Sequence, residues 1–143
     1  MPSPGDGAMA GRRLFTIGAV LAGLAVALGA FGTHALESRV PSGRVATWET
    51  GVRYHLVHAL ALQALGLAQA RWAAGGLGRA GTLIAVGTVV FSGSLYLLVL
   101  MDTPFLGAIT PIGGVLIILG WALAAWSVAR PSPPPTPEPR GSP

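Results

Sequence analysis

Apolar residues fill this chain in four long blocks, separated by short polar breaks marked with arginine, glycine or proline. The first block, 14–36, follows Arg12-Arg13 and is long enough to cross a hydrocarbon core of about 30 Å as a helix rising about 1.5 Å per residue. The second begins after Pro41, with Ser42 as the expected N-cap, and runs over 43–72. At about 45 Å it exceeds the core thickness. Its first turns therefore belong to the interface, and 52–70 is the spanning part. The third block, 80–101, carries Gly81, Ala85, Gly87 and Gly93 together with the hydroxyls of Thr82, Thr88, Ser92 and Ser94. Asp102-Thr103-Pro104 turns the chain into the fourth block, 105–129. Thr110-Pro111 should kink or break that helix, because proline has no N–H and its ring crowds the preceding turn. Trp121 and Trp126 stand near its end, as an aromatic belt requires. The flanks, 1–11 and 131–143, are rich in glycine, proline and polar residues, and both are expected to be unstructured. The pattern predicts an all-α membrane protein, a four-transmembrane-helix bundle with helix two long and helix four kinked at Pro111.

Composition supports lipid as the solvent. Hydrophobic residues make up 52% of the 143 and charged residues only 10%, against roughly 25% in a soluble domain. So few charges cannot clothe a water-facing surface. No cysteine is present, which excludes disulfides and thiolate metal sites. All the basic residues are arginine, which with abundant alanine, glycine and proline reflects GC-rich bacterial codons. The net charge of +4 does not point to nucleic acid, because the arginines lie at block ends, where topology accounts for them. Arg12, Arg13, Arg71, Arg79, Arg130 and Arg140 fall on one side of a four-span path, and Arg39, Arg44 and Arg53 on the other. The excess places both termini in the cytoplasm of a plasma (inner) membrane protein. A cleaved signal peptide is the rival reading of the first block, with Thr33-His34-Ala35 as a loose cleavage site. More membrane follows, which needs no separate export signal, so the block is read as a retained span.

The first span also bears small residues at four-residue spacing, Ala19, Gly23 and Ala27, beside Gly18, Ala22, Val26 and Ala30. Such faces let helices approach closely and can receive another membrane protein or a second copy of the chain.

Four stretches are more specific than composition. They are Gly29-Ala30-Phe31-Gly32-Thr33-His34-Ala35-Leu36; Trp48-Glu49-Thr50-Gly51-Val52-Arg53-Tyr54-His55 with His58-Ala59-Leu60; Phe91-Ser92-Gly93-Ser94-Leu95-Tyr96; and Ile109-Thr110-Pro111-Ile112-Gly113-Gly114. In that order they resemble the small four-helix inner-membrane family known as domain of unknown function 423, which includes the eukaryotic transmembrane protein 256. The resemblance covers 14–130. It implies a four-span membrane protein with no established activity. His55 departs from it, since the family often carries glutamine there.

Polar residues concentrate at the start of the second span. At about 100° per residue, Gly51, His55, His58 and Leu62 share one side of the helix, and Glu49 and Arg53 share another. Glu49 and Arg53, at i and i+4, are expected to pair and anchor the helix end, or to form a charged lip for a ligand headgroup. His58 is deep enough to need a partner. The hydroxyls of Thr88, Ser92 and Ser94 are the expected ones, making His58 an anchor between helices. Metal or haem ligation by His34, His55 and His58 is the minor alternative; His55 and His58 alone would be a sparse site with no carboxylate on their face, so neither metal nor cofactor is expected. No Ser-His-Asp set, metal-ligand motif or phosphate loop is present, so no enzyme is expected. The candidate functional polar residues are His34, Glu49, Arg53, His55, His58 and Thr110. Two functions fit: a structural or interaction component of the membrane, and, as the alternative, a minimal transport or conduction unit using the helix-two histidines and the broken fourth helix.

Overall fold

The computed structural model describes residues 4–72 and 76–130. Helix α1 covers Pro4–Phe31 and passes into a π-helical segment, Gly32–Leu36. Helix α2 covers Ser42–Trp72 and α3 covers Leu77–Met101; a 3-10 segment, Pro104–Ala108, then leads to α4, Thr110–Ala129. No strand occurs among the described residues. In lipid each backbone N–H and C=O must be satisfied within its own segment, and a helix does this.

The ends of the helices follow local chemistry. Helix α2 opens on the carbonyl of Pro41, which accepts the N–H of Arg44 at 2.8 Å and of Val45 at 3.2 Å. Ser42 is thus the first helical residue and not the cap. Helix α3 closes at Asp102, the one non-glycine residue with positive φ (48°) among those described, whose N–H returns to the Leu98 carbonyl. Aspartate tolerates this left-handed conformation better than most residues. Thr103 is extended, as a residue before proline prefers. The break in the fourth span lies just before Thr110: the 3-10 segment ends, and Pro111 occupies the first turn of α4, where a missing N–H costs nothing.

The N-terminal flank differs from expectation. From Pro4 onward it is helical, continuous with the first span. Proline at the first helical position is already set for the helix, and Gly11 is buried against α2. The rest of that flank, 1–3, and the proline-rich tail, 131–143, lie outside the described residues.

Three segments, Gly7–Leu36, Leu77–Met101 and Pro104–Ala129, are long and apolar enough to cross a membrane. Helix α2, the longest α-helix at 31 residues, is more polar, yet it is central. Neighbours in sequence are neighbours in space: α1 lies on α2, α2 on α3, and α3 on α4, with a lesser contact between α1 and α3. The outer helices α1 and α4 turn large apolar side chains outward, among them Phe15, Val20, Leu24, Ile112, Ile118 and Leu119.

The two outer pairs pack backbone against backbone. A Cβ on Gly66 of α2 would stand 2.6 Å from the Gly11 carbonyl oxygen, and one on Gly18 would stand 2.5 Å from that of Ala59. Between α3 and α4, a Cβ on Gly113 would stand 2.4 Å from the Phe91 nitrogen, and one on Gly120 would stand 2.6 Å from Ile84. Only glycine permits this approach. The central seam between α2 and α3 is built differently, from large side chains, and it holds the candidate site.

Candidate functional site

Trp48 sits at the junction of α1, α2 and α3, with 1% of its surface exposed. Its indole N–H donates to the Leu28 carbonyl of α1 at 2.9 Å. Gly32, the first residue of the π segment, lies against the indole; a Cβ there would stand 2.6 Å from Cδ1. The ring packs on Tyr96 of α3, centroid to centroid 4.6 Å, and on Phe31, at 5.6 Å. One turn further along α2, Gly51 makes room for the Tyr96 ring, 2.8 Å from where its Cβ would be. The next turn brings His55, whose Nδ1 meets the Tyr96 hydroxyl at 3.2 Å. Trp48, Gly51 and His55 thus follow one stripe of α2, and Tyr96 spans their length.

His55 is buried, and its Nε2 has no hydrogen-bond partner among the described residues. A neutral imidazole has one N–H and one lone pair. Whichever of the two meets Tyr96, the other stays unpaired at Nε2. Ser92 Oγ and Gln69 Oε1 are likewise buried without a partner among the described residues.

His58 forms no hydrogen bond to α3 among the described residues. Its Nδ1 lies 2.7 Å from the Tyr54 carbonyl. A carbonyl only accepts, so Nδ1 carries the proton and the bond closes within α2. The ring stacks on Tyr54 at 5.9 Å and stands 6.5 Å from Trp121 of α4. The expected partners are engaged or set apart. Thr88 donates to the Ile84 carbonyl at 2.7 Å, and Ser94 donates to the Phe91 carbonyl at 2.8 Å. With the Ser94 proton so placed, Thr110 Oγ1, 2.8 Å away, donates to Ser94 and ties α4 to α3. The anchor between α2 and α3 therefore belongs to His55, one turn earlier, where the long Tyr96 side chain spans the gap between these two helices.

Glu49 and Arg53 are exposed and form no ion pair with each other; the salt bridge among the described residues joins Arg44 to Asp102. It links the first turn of α2 to the end of α3. Glu49 and Arg53 instead line a cleft of about 280 Å³ between α1 and α2, together with Gly29, Gly32, Thr33, Trp48 and Val52. His34 lies exposed in the π segment. No group of three histidine or acidic side chains that could share a metal ion is found among the described residues. The structure thus gathers His55 with Trp48 and Tyr96, and places Glu49 and Arg53 together on the cleft. His34, His58 and Thr110 stand apart from both.

A family model described as "Protein of unknown function (DUF423)" matches residues 28–114. The chain belongs to this family. The matched region runs from the Leu28 carbonyl to the start of α4 and so contains the entire Trp48–Tyr96–His55 arrangement. Among DUF423 relatives, the UPF0382 membrane protein YwdK of Bacillus subtilis (strain 168) is 47% identical over 75% of this chain and 88% of its own length. A UPF0382 membrane protein of Staphylococcus aureus (strain bovine RF122 / ET3-1), SAB0533, is 44% identical over 78% and 91%. The UPF0382 inner membrane protein YgdD of Escherichia coli (strain K12) is 36% identical over 80% and 88%. No solved structure matches. The chain is an integral membrane protein of an uncharacterised family.

Sequence reasoning did not single out Tyr96 or the Arg44–Asp102 bridge. Both left a signal. Tyr96 is the only tyrosine of α3, at the same end of the bundle as the polar start of α2. Arg44 and Asp102 lie on the same side of any four-span path.

Proposed function

We propose that this DUF423 protein is a non-enzymatic structural or interaction component of the bacterial inner membrane, with both termini cytoplasmic. The observation that carries the reading is Gly23. Gly11, Gly18 and Gly29 of α1 all face α2, whereas a Cβ on Gly23 would meet nothing within 4 Å. Ala19, Gly23 and Ala27 are exposed on a face of α1 that no other helix among the described residues covers, and small residues at this spacing suit close helix contact in lipid. A second copy of the chain or another membrane helix is the partner that fits. The E. coli relative's description as an inner membrane protein and the arginine distribution support the location and orientation. The conduction alternative uses the helix-two histidines and the broken fourth helix; His55, His58 and Thr110 are engaged by the Tyr96 hydroxyl, the Tyr54 carbonyl and Ser94, so the interaction reading is preferred.

The absence of cysteine makes the test clean. Single cysteines at Ala19, Gly23 and Ala27 should give oxidative cross-links in native membranes, to a second copy or to one discrete membrane protein. Cysteines at the neighbouring exposed positions Val20 and Leu24 should cross-link far less. Uniform cross-linking at all five positions, or none, overturns the proposal.

A further inference from the structure

The cleft between α1, the π segment and α2 has features that the helix-packing role does not use. Its depth comes from Gly29 and Gly32, which contribute no side chains to its wall. Its floor is the buried indole of Trp48, and Val52 adds an apolar side. Its rim holds one acid and one base, Glu49 and Arg53, both exposed, and Thr33, whose hydroxyl donates to the Gly29 carbonyl, also lines it. These two charges sit one helical turn apart, where such residues ordinarily pair, yet neither has a salt-bridge partner among the described residues. Insertion of a π turn into a helix is itself frequent at functional sites, and here the π segment supplies Gly32 and Thr33.

Position narrows the ligand. The cleft lies where α1 ends and α2 has completed its first turns, at the depth of the membrane boundary. Phe31, 43% exposed, packs on the Trp48 ring that floors it, and aromatic side chains favour that level. A volume of about 280 Å³ is small for a ligand site and suits a headgroup with its chains left in the bilayer. Charge narrows it further. An anionic lipid would set its net negative charge beside Glu49, and a simple cation would leave Arg53 unused. A quaternary ammonium has no N–H to offer a carboxylate. A phosphate and a primary ammonium on one short headgroup satisfy both residues.

We propose that this cleft binds the headgroup of a zwitterionic phospholipid bearing a primary amine, its phosphate on Arg53 and its ammonium on Glu49. The site is independent of the small-residue face of α1, so either proposal can fail without the other.

Native mass spectrometry of the full chain, released from mixed vesicles of phosphatidylethanolamine, phosphatidylcholine and phosphatidylglycerol, tests it. The wild type should retain phosphatidylethanolamine in preference to the other two. Glu49→Gln should lower that preference about fivefold, the scale of one lost contact between exposed charges. Arg53→Gln should lower retention of all three lipids. Gly29→Leu keeps both charges but fills the cleft, and should also lower retention. Thermal unfolding of the exposed-site variants should match the wild type, which separates binding from folding. Equal retention of the three lipids by the wild type, or unchanged retention in Gly29→Leu, overturns the proposal. Displacement of the lipid by an equal concentration of soluble glycerophosphoethanolamine would assign the site to a free headgroup compound and likewise overturn it.

Discussion

A tryptophan buried in a lipid-embedded protein must place its N–H on the protein, because hydrocarbon offers no acceptor. Trp48 gives its proton to the Leu28 carbonyl, so Trp48→Phe should cost about 1 kcal/mol, the net worth of one such bond, read as a lower unfolding midpoint in mild detergent. Two glycines of the first span and π segment make a sharper comparison. Gly32→Ala would place a methyl 2.6 Å from the indole, whose buried ring has nowhere to go, and should cost about 1–3 kcal/mol as overpacking does. Gly23→Ala meets nothing and should instead stabilise by up to about 1 kcal/mol through helix propensity. Equal effects of the two would contradict the packing described. At this scale the sequence was only partly legible. Trp48, Tyr96 and His55 all fall within recognisable stretches, but which side chain meets which depends on the register of α2 against α3. Helical periodicity sets the face of each helix separately and leaves its axial offset open. That is why the anchor fell on His58 in the sequence and on His55 in the fold. A double-mutant cycle with His55→Phe and Tyr96→Phe should return a coupling of about 0.6–1.7 kcal/mol, the range for polar contacts between membrane helices. A cycle pairing His58→Phe with Ser92→Ala should return none.

The helices themselves were legible because each apolar block is bounded by residues that cannot continue it. Pro41, Asp102 and Pro104 mark breaks that sequence and structure share. What hydropathy alone obscures is α2. It falls outside the segments apolar enough to cross a membrane because its polar residues lower the average, but three of them, His55, His58 and Gln69, are buried within the protein. Its neighbours α1 and α3 supply the surroundings that its composition lacks. The glycine contacts explain how. In lipid no water is excluded when helices meet, so association relies on close packing, and α1–α2 and α3–α4 each obtain it by bringing backbones together. Gly66→Leu should therefore separate α1 from α2, and Gly113→Leu should separate α4 from α3. Each should lose folded protein in detergent, whereas Gly93→Leu, where a Cβ has open space, should not. A comparable loss in all three would mean that glycine matters for backbone conformation and not for helix contact.

For the whole molecule, the decisive quantity is which end of the bundle faces the cytoplasm. The path of four helices brings Arg12, Arg13, Arg71, Arg79 and Arg130 to one end, and Arg39, Arg44 and Arg53 to the other. Arg44 is additionally held by Asp102, but acids count for little in orienting spans, so the arginine bias itself carries the argument. A fluorescent protein fused after Arg130 should fluoresce in the cytoplasm. Alkaline phosphatase fused there should be inactive, and fused within the turn after Asp102 it should be active. The bias can also be reversed without touching the core. Arg71 and Arg79 are exposed, as are Ser38 and Glu37 at the other end. Combining Arg71→Gln and Arg79→Gln with Glu37→Arg and Ser38→Arg moves the arginine excess to the opposite side while leaving Trp48, Tyr96 and the glycine contacts intact. If loop arginines set the orientation, this variant should insert in mixed or inverted orientation, with phosphatase activity appearing at the C-terminal fusion. If the orientation does not change at all, it is fixed by something other than the arginine count, and both termini could then be placed only by the reporters themselves.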